Sequence, residues 1–164
     1  MLSGVVEADE TMIGGRRPGK RGRGAEGKTV VFGMIERDGD VMTKVVPDVR
    51  RTTLHPIIEG NVEQGSTINT DELKSYNGLS AKGYEHQRVN HGRREFAKGN
   101  VHVNSIESYW AQLQRGVSGA HIHVSGKHLE KYAKEFEYRF NSRKNPGRIF
   151  PELLSTFLRE QDDQ

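Results

Sequence analysis

Asp9, Asp71 and Glu107 are the residues whose types and contexts could do chemistry together in this chain. Phosphodiester chemistry assisted by two metal ions needs a few carboxylates converging on one point. The ions activate the attacking oxygen and stabilise the leaving one, and hard cations such as Mg²⁺ or Mn²⁺ prefer oxygen ligands. Each acid also has an ordinary explanation. Asp9 with Glu10 and Thr11 can begin a turn, and Asp71 with Glu72 can cap a helix. Glu107 suits the third position of a capping box, where it favours the helix dipole. Taken jointly they end two strands and begin a helix, in that order. Few placements among 22 acidic residues do so.

The elements that must position them can be read from periodicity. Val5 to Asp9 reads as a short strand, and the β-branched run Thr29 to Glu36 as a second, buried one. Asp38-Gly39 signals a tight turn into a third strand, Val41 to Val46. Arg51 to Val62 carries Leu54, Ile57, Ile58 and Val62 at helical spacing, with Thr52 or Thr53 near its start. Ser66 to Thr70 is a fourth strand ending at Asp71. A short helix around Tyr76 to Lys82 and a fifth strand near Tyr84 to Val89 follow.

The segment after Asn104 is the clearest helix. Ile106, Tyr109, Trp110, Leu113 and Val117 form one apolar stripe, and Asn104 with Glu107 resembles a capping box that fixes its start. Glu107 and Gln114, seven residues on, share a flank of that stripe. A last helix runs from about His128 to Arg143, with Leu129, Tyr132, Ala133, Phe136 and Phe140 on one face. This order predicts an α/β fold, a mixed sheet covered by helices. If the first and fourth strands are neighbours, Asp9 and Asp71 emerge at the same sheet edge.

Composition narrows the function. The 164 residues suit one domain, 1–164, with a modest core, since only 33% are hydrophobic and 19 are glycine. No stretch approaches the ~20 apolar residues of a membrane span. The absence of cysteine removes disulfides, thiol catalysis and cysteine-based zinc sites, and fits a reducing cytoplasm. Net charge is only +3, but Arg16, Arg17, Lys20, Arg21, Arg23 and Lys28 crowd the glycine-rich stretch 14–28, a footprint for a polyanion such as DNA. Arg93-Arg94, Arg139 and Arg143-Lys144 are further candidate phosphate contacts. Gly22 to Thr29 matches the phosphate-binding P-loop pattern, yet glycine and arginine precede it and a strand follows it, so it lacks the strand and helix that cradle needs. The histidines lack the cysteines or helical spacing of a zinc site; His102, beside the third acid, is the one candidate accessory group.

The stretches VEADETMIGG (6–15), GKTVVFGMIERDG (27–39), INTDELKSYNGL (68–79), HVNSIESYWAQLQRGVSGAH (102–121) and HLEKYAKEFEYRFNSR (128–143) together resemble the catalytic domain of bacterial insertion-sequence DDE transposases of the ISXO-like subgroup. The resemblance implies a ribonuclease H-like five-stranded mixed sheet flanked by helices, with 144–164 as a C-terminal extension. It implies a two-ion Mg²⁺ or Mn²⁺ site on Asp9, Asp71 and Glu107. It also implies DNA strand cleavage and transfer at element ends, in a homodimer associated with the nucleoid. Asn104 is a rival for part of the third-acid role.

Two departures stand out. Gln114 occupies a position where the family commonly carries Lys or Arg to meet DNA phosphate, and Arg115 lies about 100° further round the helix. The DNA-binding domain that precedes this domain in the family is expected to be missing from the chain. Both leave open a second reading, a catalytically weak, transposase-derived DNA-binding or assembly module.

Overall fold

Strand alternation along Val5–Gly14 (β1) sends Val6 and Ala8 to one face and Glu7, Asp9, Thr11 and Ile13 to the other. In the computed structural model, which describes residues 1–14, 28–89, 101–120, 126–151 and 154–155, this strand is the centre of a five-stranded sheet. Lys28–Glu36 (β2) and Val41–Val46 (β3) continue from it as an antiparallel meander. Thr67–Thr70 (β4) and Glu85–Arg88 (β5) lie parallel to it on the other side, giving the order β3-β2-β1-β4-β5. The mixed sheet predicted from the element order is therefore present, with the first and fourth strands as neighbours.

Helix Arg51–Asn61 (α1) carries the chain from the β3 edge to β4. It buries Leu54 and Ile58 against Val6, Ala8, Phe32, Met34 and Ile68. Helices Asn104–Ala120 (α2) and Gly126–Asn141 (α3) occupy the opposite face. The predicted stripe of α2, from Ile106 to Val117, is buried there with Ile13, Val31, Ile35 and Leu129.

Helix α3 also covers the exposed edge of β3, the place where an unpaired strand would invite another chain. Glu137 accepts hydrogen bonds from the Thr43 amide at 2.6 Å and its hydroxyl at 2.8 Å. Asn141 accepts from the Val41 amide at 2.8 Å and donates to its carbonyl at 2.9 Å. Residues four apart on the helix thus satisfy residues two apart on the strand.

Several expected boundaries move. β1 runs on to Gly14, so Asp9 lies mid-strand, because the polar run Glu10 to Thr11 stays in the ladder with β2 up to the pair Gly14–Lys28. The short helix expected over 76–82 is instead two 3-10 turns, Lys74–Tyr76 and Ser80–Lys82, separated by Gly78 at φ +88°. α3 begins at Gly126 and ends at Asn141, two residues earlier at both ends than expected. Helix α2 does not start on an Asn104–Glu107 box. Asn104 is already helical, and the Glu107 amide bonds to the Val103 carbonyl.

Candidate active site

The last residue pair between β1 and β4 is Ala8–Thr70. Asp9 and Asp71 each follow by one residue, so they stand side by side where β4 stops and β1 continues. Neighbouring strands are ~4.8 Å apart. Asp71 is fixed locally, since its Oδ1 accepts the Leu73 amide at 2.9 Å. The turn behind it is tied back to β1 by Tyr76, whose buried hydroxyl donates to Glu10 at 2.7 Å.

Helix α2 runs in step with β1. Two strand residues advance about 6.6 Å and four helix residues about 6 Å, so contacts can repeat along both elements. Glu7 accepts the Ile106 amide at 3.1 Å, Asp9 accepts the Trp110 indole at 3.1 Å, and Thr11 accepts the Gln114 amide at 2.8 Å. Trp110 can lie this close because Gly33, paired opposite Asp9, has no side chain. A Cβ there would stand 2.5 Å from the indole ring. Glu107 comes off the first turn of this helix and is exposed.

The electrostatics record the convergence. Burial pushes the Asp9 carboxyl up from 3.8 to about 6, and the charges of Asp71 and Glu107 push the same way. The Glu10 amide and the Trp110 indole oppose part of that rise. Asp71 and Glu107 thus both add negative charge at Asp9.

The ISXO2-like transposase domain matches residues 1–141 of the chain. The chain belongs to the ISXO2-like transposase family. A transposase-like protein of Haemophilus influenzae is 35% identical over 109 residues, covering 66% of this chain and 87% of that protein. A protein of the transposable element ISH50 of Halobacterium salinarum is 30% identical over 175 residues, covering 96% of this chain. The chain spans 58% of that relative's length. The catalytic core domain of BIV integrase matches the structure with a TM-score of 0.55 at 12% identity, covering 95% of this chain and 99% of that one. That likeness is one of fold, and with the strand order above it gives this ISXO2-like domain a ribonuclease H-like architecture.

In this DDE-family chain the remaining expected residues fall into three groups. Gln114 is exposed on the flank that faces Thr11, while Arg115 is exposed further round α2. Asn104 is exposed at the start of α2, and His102 lies 3.1 Å from Glu7, on the same face of the sheet. Lys28 closes the β1–β2 ladder, which makes the basic stretch the connection of that hairpin. Arg16, Arg17, Lys20, Arg21 and Arg23, like Arg93 and Arg94, lie outside the described residues.

Sequence reading missed Glu7, Arg37 and Tyr76. For Glu7 a signal existed: it is two residues before Asp9 in a strand, hence on the same face. Arg37 and Tyr76 gave no local sign, because their partners are 30 and 66 residues away.

The donors fit a hard divalent ion in kind, being carboxylates that burden one another with like charge. Among the described residues no group of three or more His, Cys, Asp or Glu side chains could hold an ion by itself. Mg²⁺ is commonly held by only one or two carboxylates together with substrate phosphate and water, so paired rather than triple ligation suits these acids.

Proposed function

We propose that this domain catalyses metal-dependent DNA strand cleavage and strand transfer at the ends of a mobile element. The observation that carries the reading is the β1–β4 register, which ends at Ala8–Thr70 and sets Asp9 beside Asp71. Burial, with the charges of Asp71 and Glu107, raises the Asp9 carboxyl to about 6. Asp9 and Asp71 would hold Mg²⁺ or Mn²⁺, with Glu107 completing the site. When bound, such ions supply activation of an attacking water or 3′-hydroxyl and stabilisation of the leaving oxygen.

The chain's own residues do the rest. Trp110 fixes one oxygen of Asp9 and excludes water from that side. The Asp71–Leu73 turn and the Tyr76–Glu10 bond hold the second acid in place. No nucleophilic side chain is needed, so no covalent protein–DNA intermediate forms. The basic hairpin connection, with Lys28 at its base, would grip phosphates, as would Arg115. DNA as substrate places the protein at the nucleoid, and an element with two ends is served by two copies of the chain.

A cleavage and joining assay on terminal-inverted-repeat DNA with Mg²⁺ or Mn²⁺ tests this, comparing wild type with Asp71→Ala. Metal-dependent products that disappear in the variant support the enzyme. DNA binding without products in either protein supports the second reading, a catalytically weak assembly module. Gln114 favours that second reading, because its amide donates to Thr11 and it brings no positive charge.

A further inference from the structure

Glu7 is fully buried on the face of β1 that carries Asp9, yet no step described above uses it. Both of its oxygens are occupied. Oε2 accepts the backbone amides of Ser105 at 2.8 Å and Ile106 at 3.1 Å. Oε1 accepts the Ser105 hydroxyl at 3.0 Å and the Arg37 guanidinium at 3.3 Å, with His102 Nδ1 at 3.1 Å. A helix N-terminus leaves its first amides without intrahelical partners and carries partial positive charge, so a carboxylate there is both a cap and a charge partner. Here the cap comes from a strand rather than from the helix's own sequence. The next helical residue after the two capped amides is Glu107.

We infer that Glu7 is a positioning residue for the metal site, a clamp that sets the distance between Asp9 on its own strand and Glu107 on α2. The inference rests on the metal-dependent reading above and deepens it. A single strand then supplies the first acid and fixes the third. Its neighbours at Asp9–Trp110 and Thr11–Gln114 keep the helix in register further along, but they lie beyond Glu107 and cannot set the first turn. Arg37 enters from the end of β2 and holds Oε1, so the clamp is tied to a third element.

The molecule carries its own reporter. Trp110 is the sole tryptophan, and its indole donates to Asp9, so paramagnetic Mn²⁺ bound at that carboxylate quenches its emission. Mn²⁺ alone is added stepwise to the wild-type chain, Glu7→Gln and Glu7→Asp, with circular dichroism confirming each is folded. The clamp predicts that Glu7→Gln raises the Mn²⁺ midpoint about tenfold, the scale on which residues supporting metal ligands act. Glu7→Asp, which keeps the charge, recovers part of the affinity.

Ile58→Val on the opposite face serves as a control; it lowers the melting temperature and leaves the midpoint unchanged. Should Glu7→Gln not fold, Ser105→Ala removes only the hydroxyl bond and predicts a severalfold rise. A folded Glu7→Gln, or failing that a folded Ser105→Ala, with the wild-type midpoint overturns the clamp while the metal reading stands. Wild-type protein whose emission never responds to Mn²⁺ overturns both.

Discussion

The two faces of β1 are built from alternate residues of one strand and do different work. Val6 and Ala8 point into the α1 side, where Leu54, Ile58, Phe32 and Ile68 close over them in an apolar layer. Glu7, Asp9 and Thr11 point to the α2 side, where each is met by a donor from the helix. The first face is held by area removed from water and is indifferent to small angular errors. The second is held by directional bonds that fix distances. The phosphoryl-transfer site proposed above would need the second kind of precision and the first kind of support, and the strand's two-residue period offers both.

The largest way to separate the faces is to remove an acid. Asp71→Asn is expected to lower strand cleavage by at least about a thousandfold, since several kcal/mol of transition-state stabilisation depend on the ions. Its melting temperature should stay near wild type. On the other face, Leu54→Ala should cost about 2–5 kcal/mol in chemical denaturation, because Leu54 is completely buried, and leave the Mn²⁺ response of the folded fraction intact. A stability loss from Asp71→Asn matching that of Leu54→Ala would erase the distinction.

Gly33→Ala sharpens it, because the residue sits under the boundary. The added Cβ meets the Trp110 ring, so the expected cost is about 1–3 kcal/mol together with a shifted tryptophan emission. The emission shift is the discriminating readout, since overpacking on the α1 face would not move it.

A pH series tests the electrostatic part. The Asp9 carboxyl is raised from 3.8 to about 6 in the folded chain, so folding favours its protonated form. That contribution to stability is fully present below its ordinary value and is lost as pH rises from about 4 through about 6. Metal-free protein should therefore lose melting temperature across that window through this group. The loss should be absent in Asp9→Asn and reversed by Mn²⁺ at neutral pH. An unchanged profile in Asp9→Asn would mean that the acid does not carry this charge penalty.

The smallest effect is expected at Gln114→Lys. The substitution gives up one exposed bond to Thr11, worth roughly 1 kcal/mol or less, and adds a cation on the flank below Glu107. Strand transfer should rise, and the dependence of DNA binding on log salt concentration should steepen by about one unit. Mn²⁺ affinity should hardly change. No gain would mean that Arg115 or another cation already serves that phosphate.

Much of this molecule was legible in its sequence. The run Thr29 to Glu36 is a strand, and its alternation matches the two buried clusters. The stripe from Ile106 to Val117 is a buried helix face. The order of strands and helices implies a mixed sheet, and the motifs around Asp9, Asp71 and Glu107 carry the resemblance to the transposase family. Boundaries were less legible where local rules compete. Glu10-Thr11 resembles a turn in isolation, but pairing with β2 and side-chain partners on both faces hold it as strand. Asn104 and Glu107 look like a self-contained cap, yet the helix takes its cap from Glu7, almost a hundred residues earlier in the chain.

By itself, then, the sequence determined the main elements and the apolar faces, because those follow from short-range periodicity and residue chemistry, and its motifs singled out three acids as candidates. Only the tertiary structure decided that the pairing of β1 with β4 ends at Ala8–Thr70, one residue short of Asp9 and Asp71, while β1 itself runs on to Gly14. It alone decided that Trp110 rests on Gly33 and that Gln114 is spent on Thr11 rather than left free. Those outcomes depend on strand register and on the matched advance of strand and helix. Both are properties of two segments in contact, which neither segment's sequence contains.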